Sequence, residues 1–275
     1  MHESAALDGD IVDSEVIAID ARSPAALYGK GVFTTLAIKS GQPFLWEKHW
    51  RRLNRDANCL SIDASSILEE SVRSDLARLL KRNSVDEGRA RITLLDASPN
   101  PLWPYRSNSQ IRVLIVTGDP HQDASFYRLG ISPYLINSTS PLAGIKSCNY
   151  LENLIALDDA RAGGFDEAIR VNERGEVASA CMGNIFWLKD GKLSTPPLSA
   201  GCLPGTTREF VMENLPCRED AASIKDLLAA DFVFLTSAGV GIASVVEIEG
   251  TKFQISDHQI SRLIPAPAGQ KTVPQ

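Results

Sequence analysis

Metal-binding clusters, paired cysteines and long apolar runs are all missing from this sequence of 275 residues. No apolar run reaches the roughly eighteen residues of a membrane-spanning helix, and the acidic N-terminus lacks the apolar stretch of a secretory signal. The four histidines form no HxxxH pattern and the five cysteines form no CxxC pattern, so we expect no metal site. Widely spaced cysteines of odd number are typical of reduced thiols, which predicts a cytoplasmic protein. The absence of a long apolar run predicts that the protein has no membrane partner.

Basic charge is also scarce. The chain has 28 basic and 34 acidic side chains, which gives a net charge of -6. Because nucleic-acid binding needs a basic surface, we expect no nucleic-acid partner, although a local basic pocket for a small anion is compatible with this balance. Apolar residues at 44% and charged residues at 23% are typical of folded globular proteins.

The order of predicted strands and helices indicates the fold class. Alternating residues predict strands at Glu15–Asp20 and Val32–Lys39. Apolar residues at helical spacing predict a helix from Trp46, and a second helix is predicted over Ser65–Arg82 with Ser65 or Ser66 as its N-cap and Glu69 completing a capping box. Strands and helices are segregated within each half rather than alternating regularly, which predicts an α+β protein with two domains.

Composition places the domain boundary after the first hundred residues. A run of turn-forming residues predicts a linker at 119–128. It would separate a smaller N-terminal α+β domain at 1–118 from a larger C-terminal α+β domain at 129–275. The first fifteen residues are predicted to be a frayed arm, and the tail from about 265 is predicted to be disordered. A cleft between two such domains is the default location of a ligand.

Lys146 is a candidate nucleophile. It follows an apolar stretch and precedes a predicted helix. A lysine in apolar surroundings can have a lowered pKa, and its neutral amine then attacks carbonyl groups. By spacing alone, a surface lysine at a strand–helix turn is the commoner explanation.

Two turns rich in hydroxyl groups and glycine are candidate phosphate sites. The first lies at Leu203–Arg208 and includes Thr206 and Thr207, and the second lies at Thr236–Gly241. Free amides at a helix N-terminus attract phosphate. For the first turn taken alone, an ordinary N-cap is the favoured explanation, with Thr206 or Thr207 capping a helix that runs to about Asn214. Arg52 adjoins the apolar stripe of its helix and so could point inward, or it could belong to a solvated face. A lysine together with a phosphate cup fits pyridoxal phosphate, among several ligands.

A series of motifs in a fixed order favours one of these candidate ligands. The motifs are Tyr28–Thr35, His49–Leu53, Leu142–Glu152, Phe165–Ile169, Asn184–Phe186, Thr195–Pro197, Leu203–Arg208 and Phe234–Ser237. In this order and spacing the sequence resembles the class IV, or fold-type IV, family of pyridoxal-phosphate enzymes. The family includes branched-chain and D-amino-acid aminotransferases and 4-amino-4-deoxychorismate lyase. The resemblance implies the two-domain α+β fold of that family, a pyridoxal 5'-phosphate cofactor and a homodimer.

The resemblance assigns cofactor-binding roles residue by residue. Lys146 matches the lysine that forms the Schiff base and moves the α-proton, and Arg52 matches the arginine that binds the phosphate. Thr206 and Thr207 match the turn that supplies further phosphate donors, and Tyr150 matches a tyrosine near the phenolic oxygen.

Further roles implied by the resemblance concern the cofactor's surroundings and the substrate. Ser237 and Ala238 are expected to contact the cofactor, and Thr35 is expected to assist proton transfer. Tyr28 and Arg106 are candidates to contact an anionic amino substrate. Arg22 is a further candidate for the substrate carboxylate, Lys30 is expected on the surface, and Asn184 is expected to have a structural role.

Ser179 is a departure from the family pattern. The family has a glutamate at this position, five residues before the motif asparagine, and that carboxylate keeps the pyridine nitrogen protonated. A serine offers only a neutral hydrogen bond, which weakens the electron sink. Transamination should suffer more than β-elimination, because in elimination a leaving group carries the charge away.

The implied activity is therefore a lyase. Thr34 followed by Thr35, the sequence around Lys146 and the position of Trp187 also resemble the lyase, which converts 4-amino-4-deoxychorismate to 4-aminobenzoate and pyruvate. Two alternatives stay open: an aminotransferase of branched-chain or D-amino acids, and a catalytically impaired relative that has lost activity with the glutamate.

Overall fold

The computed structural model describes residues 1–98, 110–121 and 126–253. The chain forms two compact units. The N-terminal unit consists of Met1–His121 together with Ile145–Tyr150, and the C-terminal unit consists of Gln122–Gly144 together with Leu151–Gln275.

The N-terminal unit is an antiparallel sheet with helices. Its strands are β1 (Ser4–Leu7), β2 (Asp10–Asp13), β3 (Gly31–Lys39), β4 (Gln42–Pro43), β5 (Gly88–Asp96) and β6 (Ile111–Gly118), and its helices are α1 (Pro24–Tyr28), α2 (Trp46–Cys59) and α3 (Glu69–Arg82). The sheet order is β2-β1-β6-β5-β3-β4. Alternate residues of β3, from Val32 to Ile38, pack with apolar residues of α2 and α3 to form the core.

The C-terminal unit is built on a mixed sheet. Its strands are β7 (Phe126–Ile131), β8 (Glu167–Val171), β9 (Val177–Ala180), β10 (Asn184–Lys189), β11 (Lys192–Thr195), β12 (Cys217–Glu219), β13 (Phe232–Ser237), β14 (Gly241–Ile248) and β15 (Thr251–Lys252). Its helices are α4 (Leu151–Ala162), α5 (Thr206–Asn214) and α6 (Ile224–Leu228). The order is β12-β11-β10-β13-β14-β7-β8-β9, and β15 pairs with β14.

The predicted N-terminal arm and the strand after it are wrong. Residues 4–13 form the β1–β2 hairpin, in which Asp8 and Gly9 adopt positive φ values of 51° and 92°. The hairpin pairs with β6, and Ala5 and Ala6 are buried. Burial of small apolar side chains therefore outweighs the acidic composition. The strand predicted at Glu15–Asp20 is replaced by a 3-10 turn at Ser14–Val16, capped by the Asp13 side chain.

Two predicted helix starts are also displaced. Helix α3 begins at Glu69 after Leu68, which makes no side-chain cap. The Glu69 carboxylate instead accepts a 2.7 Å hydrogen bond from Trp46 Nε1, so packing against α2 replaces the predicted capping box. In α5 the N-cap is Gly205, one residue before Thr206.

The observed units differ from the predicted domains. Residues 145–150 belong to the N-terminal unit, although the sequence predicts them in the domain at 129–275. Backbone hydrogen bonds to β3 explain the difference, as described below. Strand β7 begins at Phe126, inside the predicted linker at 119–128. The tail predicted to be disordered lies outside the described residues.

Candidate active site

Residues 145–150 lie beside the start of β3. The Phe33 amide donates to the Lys146 carbonyl at 2.9 Å, and the Cys148 amide donates to the Gly31 carbonyl at 2.8 Å. These bonds flank an antiparallel bridge between Val32 and Ser147. The segment therefore extends the N-terminal sheet by a short piece of strand, which fixes the backbone of Lys146.

The Lys146 amine lies among aromatic rings. Its Nζ atom is 4.6 Å from the Phe33 ring centroid and 3.3 Å from the Tyr150 hydroxyl. Burial lowers the pKa of Lys146 to about 7, helped by the charges of Arg52 and Arg91 and opposed by Asp56. A substantial fraction of the amine is neutral near pH 7, as a nucleophile or proton acceptor requires.

Helix α2 presents a polar face within the N-terminal unit. His49, Arg52 and Asp56 are spaced three and four residues apart, so they share one side of the helix, and all three are buried. Arg52 Nη2 donates to Thr34 Oγ1 at 3.0 Å, and Thr34 Oγ1 lies 2.6 Å from His49 Nδ1. Arg52 is only 7% exposed, so of the two orientations that the sequence left open it adopts the inward one.

The Thr34 hydroxyl links Arg52 to His49. Its oxygen accepts from Arg52, and the same hydroxyl shares a hydrogen bond with Nδ1 of His49. Burial first, and then the charges of Arg52 and Lys146, lower the pKa of His49 well below 6.5. His49 is therefore neutral at pH 7, and the only formal charge in this chain of contacts is that of Arg52.

Sequence reasoning missed Asp56 and Arg91. The buried Asp56 carboxylate accepts the Lys146 amide at 3.0 Å. Arg91 lies over the Phe33 ring at 3.6 Å and is paired in register with Thr35. Thr35 therefore lies on the sheet face that carries Phe33 and Arg91. The alternation of Arg89, Arg91 and Thr93 along β5 was a usable signal, because residues two apart share a face.

The other candidate substrate residues lie near helix α1 or outside the described residues. Tyr28 ends α1 and is 39% exposed. Arg22 is exposed and pairs with Asp20 at 2.9 Å. Lys30 keeps a third of its side chain exposed and forms a 2.8 Å ion pair with the buried Asp96. Arg106 lies outside the described residues.

In the C-terminal unit, the N-terminus of α5 is a candidate anion site. Thr206 and Thr207 are both buried, and no side chain caps this helix end. A Cβ atom on Gly205 would clash with Asn184 Oδ1, so any larger residue there requires Asn184 or the turn to shift. Asn184 Nδ2 in turn donates to the Leu203 carbonyl at 2.8 Å, which is the structural role expected of it. Asn184 therefore stabilises the turn before α5. The N-terminus of α5 itself has no side-chain cap.

The second predicted phosphate turn follows β13. The Ser237 hydroxyl accepts from the Val240 amide at 3.1 Å, so it stabilises its own turn, which includes Ala238. Within the described part of the chain, the buried Thr236 hydroxyl makes no hydrogen bond.

Ser179 lies in β9, and its cross-strand partner in β8 is Arg170. Arg170 is only 1% exposed. Its guanidinium donates to Asn153 Oδ1 at 2.8 Å and to the Tyr134 carbonyl, and it pairs with Glu152. The family pattern has a carboxylate at the position of Ser179. This chain has a neutral hydroxyl there, and its cross-strand partner is the buried Arg170.

The next turn is held by a buried carboxylate. Glu167 accepts from the backbone amides of Cys181 and Met182 at 2.9 and 3.0 Å. Burial raises the pKa of Glu167, and these amide hydrogen bonds oppose that effect.

The donor sets indicate which groups the units can bind. In residues 1–98, 110–121 and 126–253, no group of three or more His, Cys, Asp or Glu residues is arranged to bind a metal ion. None of the helices in these ranges is both long and apolar enough to cross a membrane. The N-terminal unit supplies an amine of lowered pKa and a buried guanidinium, and the C-terminal unit supplies buried hydroxyls at an uncapped helix end. Each set fits part of pyridoxal phosphate.

Comparisons with known proteins agree with this chemistry. The family model for amino-transferase class IV matches residues 31–248. The aminodeoxychorismate lyase of Bacillus subtilis is 28% identical over 236 residues, covering 82% of this chain and 80% of that protein. The branched-chain-amino-acid aminotransferase of Escherichia coli is 24% identical over 260 residues, covering 88% of this chain and 84% of that protein.

A solved structure confirms the fold predicted from the motifs. The branched-chain aminotransferase of Thermoproteus uzoniensis, determined with norvaline, matches with a TM-score of 0.87 at 26% identity, covering 96% of this chain and 92% of that one. The predicted α+β, fold-type IV architecture is thereby confirmed. This protein belongs to the class IV aminotransferase family of pyridoxal-phosphate-dependent enzymes.

Proposed function

We propose that the protein is a 4-amino-4-deoxychorismate lyase, which forms 4-aminobenzoate and pyruvate by elimination. The observation that carries this proposal is the pair Ser179 and Arg170 on adjacent strands. A carboxylate at Ser179 would favour a protonated pyridine nitrogen, whereas a hydroxyl next to a cation does not. The reaction best suited to a weakened electron sink is one whose leaving group carries the negative charge away.

The bound cofactor supplies the electron withdrawal that acidifies the substrate carbon bearing the amine. Lys146 Nζ takes the proton from that carbon, as its pKa of about 7 allows. The electrons of the broken C–H bond form a ring double bond as the enolpyruvyl oxygen leaves. A proton returns to the departing group, so one substrate gives one 4-aminobenzoate and one pyruvate. Thr35, on the face that carries Arg91, is proposed to assist this proton transfer.

Cofactor-binding roles are proposed residue by residue. Arg52, Thr206 and Thr207 are proposed to bind the phosphate, since buried guanidinium groups and helix N-termini favour anions. Tyr150 is proposed to contact the phenolic oxygen, and its hydroxyl already lies 3.3 Å from Lys146 Nζ. Ser237 and Ala238 are proposed to line the cofactor. The Ser237 hydroxyl accepts from the Val240 amide and so stabilises the turn that carries both residues.

Arg91 supports a negatively charged substrate. It lies close enough to Lys146 to lower the pKa of the amine. Arg89 is two residues away on β5 and so lies on the same face. Two cations on one face suit a substrate with two carboxylates, which 4-amino-4-deoxychorismate has. We propose that Tyr28 and Arg106 also contact the substrate.

An aminotransferase of branched-chain or D-amino acids is the second candidate. It is favoured by the similarity to aminotransferases over most of the chain. An inactive relative is disfavoured, because the environment that lowers the pKa of Lys146 is intact.

The test uses purified protein loaded with pyridoxal phosphate. Its visible spectrum is recorded before and after addition of D-alanine, L-leucine or 4-amino-4-deoxychorismate, beside the variant Lys146→Ala. The lyase proposal expects a lysine-dependent visible band and pyruvate only from 4-amino-4-deoxychorismate. Bleaching by an amino acid with release of its 2-oxo acid would indicate the aminotransferase, and absence of the band would indicate an inactive relative.

We also propose that the protein is a cytoplasmic homodimer. Leu151, Leu154 and Ile155 of α4 are all exposed, at 68%, 42% and 45%, on one side of the helix. A second copy of the chain would cover this apolar surface. Sedimentation should give a dimer for the parent and a monomer for Leu154→Glu, with Leu198→Glu as a control at another exposed leucine. A monomeric parent would contradict the proposal.

A further inference from the structure

Asp56 is a buried carboxylate with two kinds of partner. Its side chain is only 1% exposed. One oxygen, Oδ2, accepts the backbone amide of Lys146 at 3.0 Å. The other, Oδ1, accepts from Arg55 Nε at 2.9 Å, and Arg55 keeps 44% of its side chain exposed. The carboxylate is thus balanced by a cation on the outer side and bonded to the Lys146 backbone on the inner side.

The Lys146 backbone is held from two directions. Its carbonyl accepts from the Phe33 amide of β3, and its amide donates to Asp56 of α2. The bridge to β3 is formed by the next residue, Ser147, so the strand leaves the Lys146 amide to the Asp56 side chain. Asp56 therefore ties the segment that carries the amine to helix α2.

The same helix carries Arg52 one turn earlier. Residues four apart on a helix are neighbours, about 5–6 Å apart between Cβ atoms. Both side chains are buried on the same face of α2. A single rigid helix therefore connects the backbone of Lys146 to the guanidinium that is proposed to bind phosphate.

We propose that Asp56 is a positioning residue, which holds the Lys146 backbone at a fixed place relative to Arg52. The inference rests on the proposed cofactor roles of Lys146 and Arg52. Asp56 does not contact the reacting atoms. It sets the separation between the amine and the phosphate-binding guanidinium, and it supplies a negative charge close to that amine.

The charge of Asp56 gives the proposal a second readout. Several ionisable groups face Lys146, and Asp56 is the one among the causes of its pKa shift that raises the pKa. The other groups near the amine are Arg52 and His49 from α2, Arg91 from β5, and Tyr150 from the lysine's own segment. Cys148, in the same segment, lies beside Arg91. Removing the Asp56 charge should therefore lower the pKa of Lys146 below its value of about 7.

Two substitutions separate position from charge. Asp56→Asn keeps an oxygen that can accept the Lys146 amide but removes the charge, and Asp56→Ala removes both. Glu47→Gln is the matched control, because it removes one carboxylate from an exposed position on the same helix. Circular dichroism and thermal unfolding check that each full-length variant is folded.

The first measurement is made without cofactor. Acetylation of Lys146 is followed by mass spectrometry across a pH series, which reports the pKa of the amine. We expect Asp56→Asn to lower this pKa by about one unit, and Glu47→Gln to leave it unchanged. The second measurement is the rate of pyridoxal phosphate release from the loaded protein. We expect release to be a few-fold faster for Asp56→Asn and at least about tenfold faster for Asp56→Ala.

An unchanged labelling profile and release rate in Asp56→Asn, with unchanged release in any folded Asp56→Ala, would overturn the proposal. Asp56 would then be only a partner of Arg55. If Asp56→Ala does not fold, the labelling profile of Asp56→Asn decides alone. Failure of the proposed lyase activity is distinguishable, because the labelling needs neither cofactor nor substrate.

Discussion

The two units prepare their polar groups in different ways. In the N-terminal unit, the charged side chains of Arg52, Asp56 and Arg91 lie close enough to Lys146 to influence its pKa. In the C-terminal unit, the groups at the start of α5 are neutral hydroxyls on a turn that depends on a glycine. The first arrangement should respond mainly to changes of charge and pH, and the second mainly to changes of shape.

Replacement of Lys146 should have the largest effect. Lys146→Ala removes the proposed covalent partner of the cofactor and the proposed proton acceptor, so activity should fall by about 10⁴-fold. The rate of product formation at saturating substrate measures this. Lys192→Ala, at an exposed position, is the control and should retain full activity. Residual activity within tenfold of the parent would contradict the role of Lys146.

A methyl group on Gly205 should give the next largest effect. Gly205→Ala places a Cβ against Asn184 Oδ1, so the Asn184 side chain, which holds the Leu203 carbonyl, or the turn itself must move. We expect about a tenfold or greater loss of pyridoxal phosphate affinity and about 2 kcal/mol lower stability. Equilibrium binding and chemical denaturation measure these losses. Gly118→Ala is the control, since its Cβ has no neighbour closer than 4.0 Å. Equal losses of affinity and stability in the two variants would contradict the claim that the C-terminal unit depends on the shape of this turn.

The buried amine should cost the cofactor-free protein stability. Lys146 has a pKa of about 7 in the folded state and 10.5 as an ordinary lysine, so the unfolded chain binds more protons between these values. The cost is full below pH 7 and disappears as pH rises towards 10.5. Lys146→Met should therefore stabilise the protein at pH 7 by about 2 kcal/mol, allowing for solvent that reaches the half-buried side chain. Denaturation at pH 7 and pH 10 measures it, and a gain that grows with pH would contradict the account.

His49 should give the smallest effect. Its folded pKa is depressed below 6.5, so stability is lost as pH falls below 6.5 and the unfolded histidine takes up a proton. His49→Gln should remove about 1 kcal/mol of this loss at a pH of about 5.5. Denaturation of both proteins from pH 7 to pH 5 measures it. His2→Gln is the control, and an identical pH slope for the parent and His49→Gln would refute the prediction.

Periodic patterns predicted the parts of the fold with long regular elements. The helical spacing after Trp46 identified α2 and the buried face that carries Arg52, and the run of β-branched residues identified β3. The hairpin at residues 4–13 was missed, because its burial depends on pairing with β6. The short strands β11 and β12 were missed for the same kind of reason, since each is defined by its neighbours.

The residues of the candidate site also fall into those that the sequence predicted and those that it missed. Motif resemblance predicted cofactor-binding roles for Lys146 and Arg52. The structure shows a lowered pKa for Lys146 and a buried side chain for Arg52. Asp56 and Arg91 were missed, because a carboxylate on a helix and an arginine on a strand look solvent-exposed in sequence. Their positions near Lys146 follow from strand register and from the return of residues 145–150 to the first sheet.

Product analysis tests the central claim most directly. The loaded protein is incubated with 4-amino-4-deoxychorismate in the absence of any 2-oxo acid, and 4-aminobenzoate and pyruvate are quantified. The account predicts equal amounts of the two products, formed catalytically by the parent and not by Lys146→Ala. Turnover of D-alanine or L-leucine that requires a 2-oxo acid, without 4-aminobenzoate from the lyase substrate, would contradict it.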